Sequence, residues 1–467
     1  MAHRSKEALA GHVQSELKRL EAEAGLPFRE LLDESRLEAA LQRAGLEFRD
    51  RIYTPMVTLC AFLSQSVANG NPSCENAVGR VLVDRVARNL KPCSTDTSSY
   101  CAARRKLPEE VIADLARGTG QELHRKAPEE WLWEGRHVVL VDGSTETMAD
   151  TAANQEEYPQ SRGQKAGLGF PILRYVILLS LAVGTALDCA IGACRGKHTG
   201  EQSLFRQIWD ALQPGDIVLG DCLFDAYRDI VQLKGRGIDS LFGKKQSRIC
   251  DFRKGRRLGK DDHIVVWKRP RFDASRFASR EEWESLPPEI EMREIRVLVR
   301  RKGHKTRTIM IVTTLLDAEQ YPAKKLGALF EARWNCELDL RSIKRILGMH
   351  HSRCQSPEMV RKELWMHLLA YNLIRVRMAQ AADRHNVLPR KLSFTAATNH
   401  IHNFAKELHK ASGAEHDRIE GELLKAIASC RVGNRSGRKE PRAVKKRQQK
   451  YPYLSKPRTQ ARKALAA

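Results

Sequence analysis

The sequence lacks any run long enough to cross a bilayer. A membrane helix needs about 20 consecutive apolar residues. The longest candidate, residues 175–187, has thirteen, is bounded by Arg174 and Asp188, and is interrupted by Gly184 and Thr185. It reads as two strands around a turn. The first 19 residues hold no apolar signal core, so the expectation is a cytoplasmic protein with no membrane partner. Cysteine pairing is also lacking: the 11 cysteines are scattered, with no Cys-x-x-Cys among them. That pattern argues against zinc ribbons and disulfide frameworks and favours free, mostly buried thiols in a reducing compartment. Acidic residues are in deficit, 57 against 80 Lys plus Arg, which leaves a net charge of +23. Such a surplus favours a polyanionic partner, nucleic acid or an anionic surface, and says nothing of fold. No internal repeat is visible. What is present is a 42% hydrophobic composition over 467 residues, enough for a real core and about three domains at roughly 150 residues each.

Residues 1–130 read as helical. Leu9, Val13, Leu17 and Leu20 recur at helical spacing, as do Leu31, Leu32, Leu37, Leu41 and Leu46 in part. Pro55 opens a mostly apolar stretch to Val67, and polar stretches at 69–73 and 92–99 cut the region into short helices. Arg104, Arg105 and Lys106 give this all-α unit a basic edge, compatible with DNA binding and equally with a cap that binds nothing.

From residue 131 the pattern changes. An apolar run at 138–141 ends in Asp142-Gly143, and longer runs at 172–182 and 186–193 flank Val183-Gly184-Thr185. This predicts a strand, a long loop and a β-hairpin. Thr199 can cap a helix over 200–212, with Gln202 as box partner; then come a strand at 217–220, a helix at 224–234 and a strand at 238–242. Three strands, helix, strand, helix, strand is the order of a ribonuclease-H-like sheet. Residues 244–260 carry eight basic residues and one acidic. Alternating stretches at 263–267, 291–299 and 306–314, the last two around a turn at 302–305, make a β-rich block. Helices are expected at 324–347 and 358–382, with two more before Cys430. Residues 430–467 hold thirteen basic residues and one acid, a tail with too few apolar residues for a packed core. The expected fold is therefore α/β, a ribonuclease-H-like mixed sheet flanked by helices. A β-rich insertion precedes the last catalytic helix, and an all-α domain lies at the N-terminus. The divisions fall at 1–130, 131–243 (first part of the core), 244–318 (insertion), 319–429 (helical second part of the core) and 430–467 (basic tail).

Carboxylates carry the candidate chemistry. Asp142 is expected to end the first strand and Asp221 the fourth. In a ribonuclease-H order those strands are neighbours, so the two acids approach and offer the oxygen ligands that Mg²⁺ or Mn²⁺ favour. Singly, each has an ordinary explanation, a turn for Asp-Gly and a helix cap for an Asp after a strand. Phe330, Arg333, Glu337 and Lys344 are spaced three, four and seven apart, which puts them on one helical face. Glu337 would be a third ligand and Arg333 and Lys344 phosphate contacts; ion pairs from Glu337 to Arg333 and Arg341 on a solvated face account for the same spacing. Trp334 is expected to pack this helix onto the sheet, and His198 to be a loop histidine.

These residues resemble a known family, the bacterial insertion-sequence transposases of the IS-four group, which carry a DDE triad. The group's signature is Tyr, two residues, Arg, three residues, Glu, six residues, Lys, matched here by Phe330, Arg333, Glu337 and Lys344. Asp142-Gly143-Ser144-Thr145, Tyr158-Pro159-Gln160, the stretches 167–171 and 196–201, Pro214-Gly215-Asp216 before Asp221, and the tail at 434–447 are also similar to the group. Phe330 stands where the group has Tyr, and Cys222 where relatives often have Arg; neither change removes a metal ligand. The resemblance implies that Asp142, Asp221 and Glu337 are catalytic and hold two Mg²⁺ or Mn²⁺ ions. It further implies binding of double-stranded DNA, both terminal inverted repeats and target, and cleavage and transfer of 3′-OH ends by cut and paste. A homodimer is implied in the synaptic complex, with end recognition by the N-terminal helices and association with the nucleoid when bound to DNA. Lys197 and the basic run at 244–260 would follow a DNA backbone. Trp267, with Trp283 second, would stack on an unstacked base, although either tryptophan also fits an ordinary buried or surface position. The rival readings are a ribonuclease-H-fold nuclease that cuts without joining, and a domesticated relative that only binds DNA.

Overall fold

The computed structural model describes residues 32, 34–45, 51–67, 73–245, 248–273, 279–299, 307–433 and 452–466. The helix expected near residues 9–20, the turn at 302–305 and the tail motif at 434–447 lie outside them.

The chain begins with short helices α1 (Glu34–Arg43), α2 (Pro55–Ser66), α3 (Cys74–Ala87) and α4 (Ser98–Lys106) and the longer α5 (Glu109–Arg125). Helices α2 and α3 start where the sequence supplies caps: Thr54 and Ser73 side chains accept from the backbone N–H three residues on, and Pro55 supplies a preset first turn. Of the basic trio at the end of α4, Arg104 turns inward, donating to Gln65 Oε1 at 3.1 Å with its guanidinium 4.9 Å from the Phe62 ring. Arg105 and Lys106 remain exposed.

The strands are β1 (Val138–Met148), β2 (Ile172–Ser180), β3 (Ala186–Ala193), β4 (Ile217–Gly220), β5 (Asp239–Gly243), β6 (Arg256–Gly259), β7 (Asp262–Lys268), β8 (Glu289–Val299), β9 (Arg307–Thr313) and β10 (His351–Ser352). Between them lie α6 (Ala152–Glu157), α7 (Glu201–Arg206), α8 (Tyr227–Gly235), α9 (Arg280–Ser285), α10 (Ala323–Ala332) and α11 (Trp334–Arg341). After β10 follow α12 (Pro357–Arg384), α13 (Phe394–Lys410), α14 (Ala414–Ser429) and α15 (Arg458–Ala466). They build one ten-stranded sheet in the order β3-β2-β1-β4-β5-β9-β8-β7-β6, with β10 added to β1. The first five strands have the ribonuclease-H arrangement: β1, β2 and β3 antiparallel, β4 and β5 parallel to β1. The β-rich block continues the same sheet, because β9 pairs antiparallel with β5.

Strands β4 and β5 are buried throughout, as parallel central strands must be when helices cover both faces. One face packs on α12, whose 28 residues span roughly 42 Å; Leu140, Leu179, Leu219 and Leu241 point to it. The other face, with Val139, Val141, Val218 and Phe242, packs on α7 and α8. Helix α5 lies against β3 so closely that a Cβ on Gly120 would sit 1.9 Å from the Ala186 carbonyl oxygen. Asn372 of α12 fills the seam, donating to the Ala116 and Ala186 carbonyls and accepting from Ala186 N–H, each at 2.8 Å.

Three expectations need correction. Strand β1 does not end at Asp142; β-favouring Ser144, Thr145 and Thr147 carry it on, and its register with β2 runs unbroken to Thr147 opposite Ile172. The expected helix at 200–212 is shorter, ending at Arg206 before a 3-10 turn at Trp209–Ala211, and its N-cap is Gly200, Thr199 bonding back to the Gly196 carbonyl instead. The expected helix at 324–347 is three pieces. It tightens at Arg333 through i→i+3 bonds (Arg333 N–H to Phe330 O, Cys336 N–H to Arg333 O) and widens into a π-turn at Ser342–Ile346, closed by Leu347 N–H to Ser342 O. Ser342 Oγ also donates to the Leu338 carbonyl, competing with the regular ladder.

Candidate active site

The site forms where two parallel neighbours separate. The β1–β4 pairing stops at Leu140 opposite Leu219. Asp142 and Asp221 lie two residues beyond each of these, on the same sheet face by the period-two rule. Asp142 Oδ1 accepts from Gly143 N–H at 2.8 Å, and Asp221 Oδ1 from Leu223 N–H at 2.8 Å. Burial pushes the Asp142 carboxyl up to about 6, helped by the negative charges of Asp221 and Glu201 and opposed by the Gly143 bond and Arg333. The two aspartates therefore share one field.

Glu337 stands on α11, where it pairs with Arg333. Arg333 Nη2 lies 3.4 Å from Glu337 Oε1 and its charge is felt at Asp142. Arg333 thus pairs with Glu337 while its charge also acts on Asp142. Among the described residues, Asp142, Asp221 and Glu337 are not a triplet whose ligand atoms all fall within 4.8 Å of one another. A pair of ions about 3.5–4 Å apart does not require all three carboxylates to crowd around one point. Like charges repel, and Arg333 supplies the balancing charge among them.

Helix α11 is held by a buried ion network that the sequence did not suggest. Asp339, 1% exposed, accepts from Arg375 Nη2 at 2.5 Å and from Arg390 Nη1 at 2.7 and 2.8 Å. Arg390 also donates to the Ser180 and Leu181 carbonyls at the end of β2. Asp339 lies two residues beyond Glu337, so this network fixes the helix that carries the third acid.

Glu201 is a fourth carboxylate at the site. Its side chain crosses Gly143 so closely that a Cβ there would lie 2.4 Å from Glu201 Cδ. Burial, with Asp221 nearby, raises its carboxyl above the usual range, against the pull of Arg174. The signal was the stretch 196–201, which matched the family pattern without suggesting a role for its glutamate. Glu146, further along β1, is 1% exposed, and burial with Glu363 nearby drives its carboxyl far upward against the charge of Lys344. Lys344 lies within the π-turn and is half-buried, its ammonium lowered by burial although Glu146 favours the charge. Phe330 packs over the end of β5, 3.3 Å from where a Gly243 Cβ would be. Lys197 is exposed in the loop before α7. Trp334 is 49% exposed beside Arg333, so it does not pack the helix onto the sheet. The tightened turn at Arg333 turns it outward.

Trp267 lies away from the carboxylates, on β7. It is 7% exposed, donates from Nε1 to Glu294 Oε1 at 3.0 Å, and carries the Arg248 guanidinium 3.4 Å from its ring centre. It lines an open cavity of about 1050 Å³ between α7, α8 and the extended sheet, with Arg206, Arg228, Lys245, Arg248, Lys254 and Lys268 around it. Trp283 donates to the Pro270 carbonyl and stacks under Arg269.

A ribonuclease-H-like sheet with an acidic cluster at the parting of its central strands is the scaffold on which a family comparison can be read. The family model described as "Transposase DDE domain" matches residues 133–373, just over half of the 467-residue chain. The chain belongs to the DDE transposases, DNA-acting enzymes that use divalent metal, and is of the IS4 kind. It is similar to "Transposase InsG for insertion sequence element IS4" of Escherichia coli (strain K12), 29% identical over 373 residues, 77% of this chain and 78% of that one. Among solved structures it is similar to the piggyBac transposase in its synaptic complex with hairpin DNA, at a TM-score of 0.43 and 8% identity, covering 89% and 86% of the two chains. No helix among the described residues is long and apolar enough to cross a membrane.

Proposed function

We propose that Asp142, Asp221 and Glu337 are the catalytic carboxylates and that they hold a pair of Mg²⁺ or Mn²⁺ ions for cutting transposon ends and joining their 3′-OH groups to target DNA. The supporting observation is the convergence of Asp142 and Asp221 at the β1–β4 divergence with Arg333 and Glu337 brought in by α11. The donor set suits these ions: every ligand is a carboxylate oxygen, and Asp142 is an anion destabilised by its surroundings, which a bound cation relieves. Divalent ions there supply activation of the attacking oxygen and stabilisation of the leaving one.

The chain's own groups do the rest. Asp142 surrenders its proton when a cation binds. Arg333, relieved of neutralising Asp142 and Glu337, turns its fork to a non-bridging phosphate oxygen. Lys344 adds charge from within the π-turn, and Phe330 holds α10 against Gly243, supporting the position of Arg333. Lys197 and the basic cavity around Trp267 follow the phosphate backbone, and a flipped base would take the place of Arg248 on the Trp267 ring. Exposed Trp334 offers a second stacking face beside the scissile bond. The N-terminal helices read the terminal repeats, the tail adds sequence-independent affinity, and two copies bring two ends together, acting at the nucleoid of the cytoplasm.

The test is incubation of the purified chain with Mg²⁺, donor DNA bearing the element's own ends, and a target plasmid. Cleavage followed by joining supports the proposal. Cleavage without joining would reduce it to a nuclease, and binding alone to a DNA-binding relative.

A further inference from the structure

Away from the carboxylates, three side chains of different elements meet in the extended half of the sheet. His263 on β7 and Glu294 on β8 stand directly opposite in the strand register. Cys250 comes from the loop that follows β5. Cys250 Sγ lies 3.6 Å from His263 Nε2, which lies 3.3 Å from Glu294 Oε2. The ligand atoms of all three fall within 4.8 Å of one another.

We propose that Cys250, His263 and Glu294 bind a borderline-soft divalent cation of the Zn²⁺ class, separate from the hard-cation site at the carboxylates. Bond lengths of ~2.3 Å to sulfur and ~2.0–2.1 Å to nitrogen and oxygen put tetrahedral ligand atoms about 3.5 Å apart for sulfur–nitrogen and about 3.3 Å for nitrogen–oxygen. Those are the spacings found here. The orientation argues the same way. His263 Nδ1 faces the Lys254 carbonyl at 2.8 Å, which fixes a proton on Nδ1 and leaves Nε2 as the free donor. The thiol and the carboxylate both face that one Nε2. A nucleophilic Cys–His–acid relay needs the acid on the opposite ring nitrogen, so the set is arranged around a point instead of along a chain. The outer partners of a metal centre are present as well: Trp267 Nε1 holds Glu294 Oε1, and the Phe252 ring lies 4.6 Å from that of His263. His263 and Glu294 line the 1050 Å³ cavity, which gives a cation its way in and room for water as fourth ligand. The other close triplet, His416, Asp417 and Glu420, lies within one helix and leaves Asp417 83% exposed, without such support.

Binding exchanges the Cys250 S–H bond for a sulfur–metal bond and releases that proton to solvent. The consequence is a clip: the basic loop bearing Lys245, Arg248 and Lys254 becomes fastened to β7 and β8.

The test is cobalt binding by the full-length chain after chelator treatment, read by absorbance. The expected result is one equivalent of Co²⁺ with a thiolate-to-cobalt charge-transfer band and tetrahedral ligand-field bands, bleached by added Zn²⁺. Cys250→Ser should abolish the charge-transfer band and lower affinity by about 100-fold or more, and Asp142→Asn should keep it. If Cys250→Ser does not fold, Glu294→Gln, whose amide oxygen still accepts from Trp267, must weaken binding. Absence of the band in the wild-type chain, its persistence in folded Cys250→Ser, or its loss in Asp142→Asn would each overturn the proposal.

Discussion

The two candidate cation sites of this chain are built on opposite principles. At the β1–β4 divergence the donors are all carboxylate oxygens, partly open, with Arg333 among them and Asp142 forced up to about 6 by burial and its neighbours. In the β-insertion the donors are one sulfur, one nitrogen and one oxygen, mostly buried, with the histidine and the glutamate each oriented by an outer partner. The first arrangement stores negative charge for a hard ion and a passing phosphate. The second is rigid and mixed, suited to fastening one segment to another. The difference teaches that acidity alone does not locate a reaction centre; donor type, openness and neighbouring cations decide what a cluster can do.

The sharpest way to break this comparison is to neutralise the first cluster. Glu337→Gln is expected to lower end cleavage by ~10³-fold or more, because ligands acting as a unit fail together, while end binding measured by gel shift stays within a few-fold. Cleavage at the wild-type rate would remove Glu337 from the site. Next comes the support beneath it. Asp339→Asn leaves Arg375 and Arg390 partly unpaired in the core, and urea unfolding should show a loss of about 3–5 kcal/mol. A change below ~1 kcal/mol would mean that the network does not hold α11.

Proton competition sharpens the contrast further. A cation binds the Asp142 carboxylate and not the acid, and the carboxyl is raised to about 6. Well above that pH the group is already ionised; as pH falls below it, protonation opposes the metal. The Mg²⁺ concentration for half-maximal cleavage should therefore rise up to ~10-fold per pH unit below about 6 and be nearly flat above 7. A flat profile from pH 5 to 8 would contradict the shared field at the site. Trp267→Ala is expected to weaken binding of DNA with an unpaired end by about 1–3 kcal/mol, with fully paired duplex little affected. The smallest effect belongs to Lys197→Ala: a few-fold weaker binding and a salt slope shallower by about one ion.

Much of the fold was legible because strand runs and helical periods are local. The order of strands through β5 follows from apolar runs, and the adjacency of β1 and β4 placed Asp142 near Asp221. The extent of β1 was not legible, since Ser144, Thr145 and Thr147 look like loop until β2 pairs with them. Nor was the break in the helical stretch that carries Glu337. Residues 324–347 keep a helical pattern throughout, while the tightening at Arg333 and the π-turn at Ser342–Ile346 show only in the backbone hydrogen bonds. That break explains why Trp334 faces solvent and Lys344 answers to Glu146. Arg104 shows the reverse error, a basic residue that packs inside.

By itself the sequence determined the class of the sheet, the surplus of positive charge and which acids stand at strand ends, because those depend on composition and short-range pattern. Only the tertiary structure decided that Glu201 crosses Gly143, that the Arg333 charge acts on Asp142, that Asp339 anchors α11, and that Cys250 meets His263 and Glu294. These are contacts between residues far apart along the chain, and they exist only once the faces of sheet and helices have been pressed together by burial.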